Sequence, residues 1–466
     1  MSAPSWLRGT TARCRSRSRE RQSRVRSNGF AGKGSLGGRW VIATAALVAV
    51  AGLSPPASAS SSSHAVGPLS IVSHNPHGKF LGVVRRRPTT HSAAPAPASP
   101  VSPLVYHSGP VQHSSAVYAI FWVPSSYSLA SGYQSTITQY FTDIAHDSFK
   151  VSDVYASDTQ YYDVTGSVKR FVSYSVAYRA AIVDTNPLPG NGCPNYTLND
   201  GSTSKNCLTD AQIESEISSV IAAHHLPVGL GVEYFVFTPP GLASCFTATA
   251  LAQGGCYDPL AFNGYCAYHS NTGSGTSAVL YANQPYADLA GCSSGQSPNG
   301  NPADSVLNVV SHEHNETITD PLGTGWWDNS GNENGDKCGW NFGSAIGSNS
   351  HGQFNQIING HGYWLQREWS NRLNACQQRN IFVQPTASFT YSPGTPVHGT
   401  QVSFTSTAHD SDDTTLTYRW SFPNGSVSFL ANPTYTFATA GTKTVTLIVF
   451  DPHGDQVRVA RTITVT

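Results

Sequence analysis

Eight of the nine cysteines in this 466-residue chain fall between Cys193 and Cys376, and that cluster restricts the fold more than any other feature. They are Cys193, Cys207, Cys245, Cys256, Cys266, Cys292, Cys338 and Cys376. Their number is even and no Cys-x-x-Cys pair occurs. This argues against a thiolate zinc site and for disulfides formed in an oxidising compartment. Four bridges can connect in about a hundred ways. The expectation is that neighbours pair: Cys193 with Cys207, Cys245 with Cys256, Cys266 with Cys292 and Cys338 with Cys376. A bridge at Cys338 would pin the chain on either side of it.

The N-terminus agrees with export. Residues 1–59 hold ten of the 27 basic residues and one of the 27 acidic ones, Glu20, which leaves 17 against 26 and a net charge of −9 beyond them. The basic block is followed by the 13-residue apolar run Val41-Ile-Ala-Thr-Ala-Ala-Leu-Val-Ala-Val-Ala-Gly-Leu53 and then Ala57-Ser-Ala59. That is the pattern of a signal peptide over 1–59, cut near Ala59. The run falls short of the roughly 20 residues a membrane span needs, so no stable span is expected after cleavage; an uncleaved N-terminal anchor is the alternative. The rest of the chain has no basic block, so nucleic acid is not an expected partner. Residues 60–103 are rich in Ser, Pro, Ala and His, carry Arg85-Arg86-Arg87 and show no apolar period. They read as a disordered linker or propeptide.

A larger domain follows over 104–380. Ala116-Val-Tyr-Ala-Ile-Phe-Trp-Val-Pro124 reads as a buried strand, and Ile137, Tyr140, Phe141 and Ile144 recur at helical spacing. Asp158–Tyr174 alternates as a strand or hairpin would. Thr209-Asp-Ala-Gln212 is a capping box that opens a helix. Gly231–Thr238 and Ser277–Ala282 are further strands, so an α/β or α+β domain is expected.

The chemistry concentrates between Asn301 and Cys338. Asn301 as a cap, Pro302 in the first turn, Asp304 near the positive end, and Val306, Val309 and Val310 in helical period predict a helix that Asp320-Pro321 ends. On such a helix His312, Glu313 and Glu316 share one side, while His314 falls about 200° from His312. Two ligands at i and i+4 can hold a cation, and Glu313 beside the first can accept a proton from water that the cation activates. Glu333 or Asp336, in the acidic loop Gly331-Asn-Glu-Asn-Gly-Asp-Lys-Cys338, would complete the metal set, with His269 a further ligand or an oxyanion donor. Zn²⁺ is the expected metal. Ca²⁺ at Asp328–Asp336 is a weaker reading, because Gly339 stands where an EF-hand has its bidentate Glu. The bland reading makes His312, Glu313 and Glu316 the solvated face of an ordinary amphipathic helix. Trp326, Trp327, Tyr363, Trp364 and Trp369 read as core aromatics, and no Gly-x-Ser-x-Gly elbow or phosphate loop occurs.

After Pro385 come Ala387–Tyr391, Gln401–Thr405, Thr415–Phe422, Thr434–Phe437 and Thr442–Phe450, short Thr- and Val-rich runs between turn residues that predict a β-sandwich. Tyr418-Arg-Trp-Ser-Phe-Pro-Asn-Gly425, Asn432-Pro-Thr-Tyr435, Val445-Thr-Leu-Ile-Val449 and Asp451-Pro-His-Gly454 resemble the PKD domain. That resemblance implies an immunoglobulin-like module over 384–466 that acts as an extracellular spacer or as a carbohydrate or protein contact. Trp420-Ser-Phe-Pro-Asn-Gly425 departs from the usual Trp-Asp-Phe-Gly-Asp-Gly. Any cation contact made by those acids is therefore not expected here.

The larger domain resembles secreted bacterial relatives of the plant phosphate-induced (exordium-like) family. Tyr265-Cys-Ala-Tyr-His269, Ser311-His-Glu-His-Asn-Glu316, Asp320-Pro-Leu322, Asn332-Glu-Asn-Gly-Asp-Lys-Cys338 and Tyr363-Trp-Leu-Gln-Arg-Glu-Trp369 carry the resemblance. It implies a zincin-like domain whose second metal-binding histidine is replaced by glutamate. Two functions are expected from these residues. The first is a secreted, monomeric zinc endopeptidase acting on extracellular polypeptide, with a PKD module. The alternative is a non-catalytic extracellular protein that binds cell-wall polysaccharide or protein.

Overall fold

The computed structural model describes residues 80–87, 102–194, 203–204, 206–248, 255–260, 264–382, 384–410 and 415–466. The signal peptide expected over 1–59 lies outside them. So does most of the segment 60–103, but its residues 80–87 are described and correct the expectation of disorder there. Phe80–Arg85 is a strand, β1, and the larger domain therefore draws on chain well before residue 104.

That domain is built on a six-stranded mixed sheet. Its other strands are β2 Ser115–Trp122, β3 Val176–Asp184, β4 Val232–Phe237, β5 Tyr265–Thr272 and β6 Val279–Gln284, in the order β1-β5-β6-β4-β2-β3. β3, β2, β4 and β6 run parallel, and β5 and β1 are antiparallel to their neighbours. The helices are α1 Tyr133–His146, α2 Asp210–His224 and α3 Ala303–Thr319. Because β3 and β4 lie on opposite sides of β2, crossovers of one hand put α1 and α2 on opposite faces of the sheet.

The period of two along the strands serves both layers. Val117, Ala119, Phe121, Phe235 and Phe237 pack against α1 and α3, while Ile120, Trp122, Tyr234 and Val236 pack against α2. Thr209 and Gln212 form the capping box at the start of α2, and Ile137, Tyr140, Phe141 and Ile144 are the buried side of α1. Asp158–Tyr174 is only in part the expected hairpin. Val154–Gln160 coils as a 3₁₀ helix, and the hairpin is 162–165 with 168–171. Four disulfides join Cys193–Cys207, Cys245–Cys256, Cys266–Cys292 and Cys338–Cys376.

The C-terminal module is an all-β sandwich, a three-stranded sheet against a four-stranded one. Phe389, Phe404, Trp420, Leu447, Val449 and Ile463 fill its centre, and the Trp420 indole N–H donates to the Leu430 carbonyl at 2.9 Å. The module packs on the larger domain. Ile448 and Phe450 meet Phe171, and Arg372 pairs with Asp455. Among the described residues, no helix is long and apolar enough to cross a membrane.

Candidate metal centre

α3 forms where its caps and apolar period predict, and Asn301 Oδ1 accepts the Ala303 N–H at 3.0 Å just before it. Its environment is another matter. Every residue from Ala303 to Thr319 is buried, which overturns the reading of His312, Glu313 and Glu316 as a solvated face. β1, β5 and β6 lie against the helix. The acidic loop folds back over its C-terminal half, where the Asp336 N–H donates to Glu316 Oε1 at 2.8 Å.

The six residues singled out for the site converge. His312 Nε2 lies 3.0 Å from Glu316 Oε1 and 3.8 Å from Asp336 Oδ1. On the other side of the same carboxylate, His269 Nδ1 lies 3.7 Å from Glu316 Oε2, and His269 Nε2 lies 3.8 Å from Glu333 Oε2. Glu316 therefore belongs to two groups, His312–Glu316–Asp336 and His269–Glu316–Glu333. In each group the donor atoms lie within 4.8 Å of one another. Glu313 faces His269, its Oε2 being 3.1 Å from Nδ1.

The electrostatics are those of acids forced together out of water. Burial pushes Glu313 and Glu333 well above the usual carboxylate range, and Glu316 beside them adds to it. Asp336 is pushed up to about 8 by burial and Glu316, with His312 opposing. Burial alone would lower the His312 pKa, but Glu316 and then Asp336 raise it above its ordinary value. Carboxylates this close cannot all ionise without positive charge among them, which bound protons, a charged imidazole or a divalent cation can supply.

The residues present fit such a cation. Glu316 Oε2 and Glu313 Oε1 are buried atoms without a hydrogen-bond partner among the described residues. Both three-residue groups offer one imidazole nitrogen with two carboxylates, a donor set that suits zinc better than the all-oxygen shells of Ca²⁺ or Mg²⁺. In the Asp328–Asp336 turn, Asp328 is held by the turn's own donors and by Lys337. Asp328 Oδ1 accepts the Ser330 and Asn332 N–H groups at 2.8 and 3.0 Å, and Oδ2 takes Lys337 Nζ at 3.1 Å.

Several residues that shape the site escape the sequence reading. The Gln366 amide sits 2.9 Å from His312 Nδ1 and donates to the Gly335 carbonyl at 3.0 Å, which turns Nε2 toward Glu316 and Asp336. Second partners of this kind orient metal-binding imidazoles. Gly335 has no room for a side chain, since a Cβ there would be 2.9 Å from Glu316 Oε1 and from His312 Nδ1. Glu368 is fully buried, its pKa raised by burial and then by Asp158 and Glu316. Gly335 had a signal in its glycine-rich acidic loop, and Gln366 and Glu368 stand in the run Tyr363–Trp369 that carries the family resemblance, without a site role being marked by spacing. His314, on the far side of α3, lies among Ser115 at 2.9 Å and Tyr155 at 3.1 Å, and burial lowers its pKa to about 3. It is a core histidine.

Comparison with known proteins identifies the C-terminal module and leaves the larger domain open. Residues 383–466 match the family model of the PKD domain. A stretch of 84 residues is 38% identical to the pre-pro-metalloprotease PrtV of Vibrio cholerae; it is 18% of this chain and 8% of that protein's length. Among solved structures, the PKD1 domain of Vibrio cholerae PrtV is 37% identical over 18% of this chain and 98% of that one, with a TM-score of 0.16. The PKD1 domain of Vibrio anguillarum Epp is 33% identical over 18% of this chain and 93% of that one, also with a TM-score of 0.16. OgpA of Akkermansia muciniphila aligns over 79% of this chain and 98% of its own, at 9% identity and a TM-score of 0.21, and so is no guide to the fold.

Proposed function

We propose that the chain is an exported metal-dependent hydrolase, an endopeptidase with a zincin-like domain and an accessory PKD module. The observation that carries this is Glu316, buried between two imidazoles with one oxygen lacking a hydrogen bond and two more carboxylates in reach. His312, Glu316 and Asp336 would hold a Zn²⁺ ion, with His269 and Glu333 available on the other side of Glu316. When bound, the cation supplies Lewis acidity toward a substrate carbonyl and lowers the pKa of water at the site.

The chain's own residues do the rest. Glu313, beside His312 in sequence and hydrogen-bonded to His269 at 3.1 Å, takes and returns the proton. Gln366 and the Cys338 loop fix the ligand geometry, and burial of α3 keeps bulk water from the carboxylates. The four disulfides and the PKD module support an extracellular location.

The test is elemental analysis of the purified chain together with peptide turnover. Zinc is expected at one equivalent and is lost in His312→Ala. Glu313→Gln is expected to keep the zinc and to lose about 10²–10⁴-fold in turnover. Undiminished turnover by Glu313→Gln removes the proton role assigned to it. Absence of metal in the parent chain would favour the non-catalytic binding protein instead.

A further inference from the structure

β1 crosses directly over the candidate centre. It pairs antiparallel with the outer edge of β5, Phe80 opposite Ser270, Leu81 opposite His269, Val84 opposite Ala267 and Arg85 opposite Tyr265. The register slips between Leu81 and Val84, so Gly82 and Val83 bulge from the ladder where β5 presents His269. Gly82 has φ of 45°, and a Cβ on it would overlap Glu316 Oε2 and the His269 ring. Only glycine fits there, on grounds of both backbone conformation and space.

The three arginines that end the segment are held as well. The Arg85 carbonyl accepts the Trp340 indole N–H at 3.0 Å, and Asp336 attracts the Arg85 guanidinium against the cost of its burial. Arg86 Nη1 donates to the Asp258 carbonyl at 3.2 Å, and its N–H donates to the Gly264 carbonyl at 3.0 Å. Arg87 donates to the Ser293 carbonyl and lies 4.7 Å over the Trp340 ring.

A strand that adds to a sheet edge, places one small residue over a polar cluster and seats successive side chains in separate contacts has the form in which extended peptides are recognised. β1 leads the sheet in sequence, yet β5 and the other strands already make a sheet covered by helices on both faces. We propose that residues 80–87 are a displaceable internal occupant of the β5 edge over the candidate centre. Its intermolecular partner is then an extended polypeptide that adds to β5 as an antiparallel strand, with glycine over Glu316 and basic side chains after it. This names the substrate class and the built-in inhibition of the site in the hydrolase reading, and it rests on that reading only for the claim that the bound peptide is cut.

The test needs no turnover. In the full chain, Gly82→Val forces a branched side chain against Glu316 and His269. Hydrogen exchange at 265–272 is expected to rise about tenfold or more, while 279–284 stays protected. A fluorescent peptide of residues 78–89 is then expected to bind Gly82→Val and the Gly82→Val/Glu313→Gln double variant alike, and the parent chain not at all. The triple variant Arg85→Ser/Arg86→Ser/Arg87→Ser keeps the glycine, loosens the anchors and is expected to behave in the same way if Gly82→Val does not fold. Unchanged exchange in both variants, or failure of both to fold, makes β1 a permanent strand and overturns the proposal. Raised exchange without peptide binding overturns the assigned partner. Peptide binding by a chain that cuts nothing leaves this proposal standing and the hydrolase reading fallen.

Discussion

Replacing Cys338 and Cys376 together by serine should damage the candidate centre more than the fold. The bridge closes a loop with a sequence separation of 38. The chain-entropy relation for a loop of that length gives about 4 kcal/mol of stabilisation, or roughly 10 °C in Tm for a domain of this size. The Cys245–Cys256 bridge, with a separation of 11, gives about 3 kcal/mol by the same relation. Stability alone therefore barely distinguishes the two, and position does.

Cys376 lies opposite Trp369 in a short strand pair that also carries Glu368, and the Trp369 N–H donates to the Asn334 carbonyl at 3.1 Å. Cys338 is tied back to Gly335 by an N–H bond of 3.0 Å. The disulfide thus fastens the loop bearing Glu333 and Asp336 to the strand beside α3. Calorimetric unfolding and zinc retention on gel filtration should be measured for both double variants. Loss of Cys338–Cys376 is expected to weaken zinc retention about 10–100-fold, as loss of a supporting partner does. Loss of Cys245–Cys256 should leave it unchanged. Equal retention by the two variants would refute the argument that this bridge holds the ligands in place.

Two further outcomes follow from the buried acids. Burial pushes Asp153 up to about 7, with the Tyr174 hydroxyl bond opposing, against about 3.9 in the unfolded chain. The folded state holds a proton the unfolded chain has released, so this contribution is full below about pH 4 and is lost as pH rises through about 7, by up to about 4 kcal/mol. Asp153→Asn should flatten that decline in urea unfolding between pH 4 and 7; an unaltered slope would show that Asp153 does not carry it. Chelation at fixed pH should lower Tm by roughly 10 °C, because a cation present at about a thousand times its Kd contributes about 4 kcal/mol. An unmoved Tm would remove the cation from the native state.

The parts of the molecule legible in sequence are those whose determinants are local. α3 announces itself through Asn301, Pro302 and its valines, α2 through Thr209 and Gln212, and the C-terminal sandwich through short runs between turn residues. β3 escaped because it is an edge strand whose exposed and buried positions do not alternate cleanly. β1 escaped because its bulge at Gly82 breaks the period of two that marks a strand. The helix spacing places His312, Glu313 and Glu316 on one side of α3. It carries no information on whether that side meets water, because burial is decided by His269 from β5 and by a loop some twenty residues downstream. Gln366 and Glu368 lie farther still along the chain, in a run whose aromatic residues dominate its pattern.

The contact of Phe171 with Ile448 and Phe450, and of Arg372 with Asp455, has a mechanical consequence. A module on a slack tether lets its enzyme sweep a volume of substrate around one point of attachment. A module seated on an aromatic patch and held by an ion pair acts as a bracket instead. Whatever the PKD module meets, the larger domain then stands at one height and one angle from it. Its reach is set by the rigid span of the protein and not by the length of a linker.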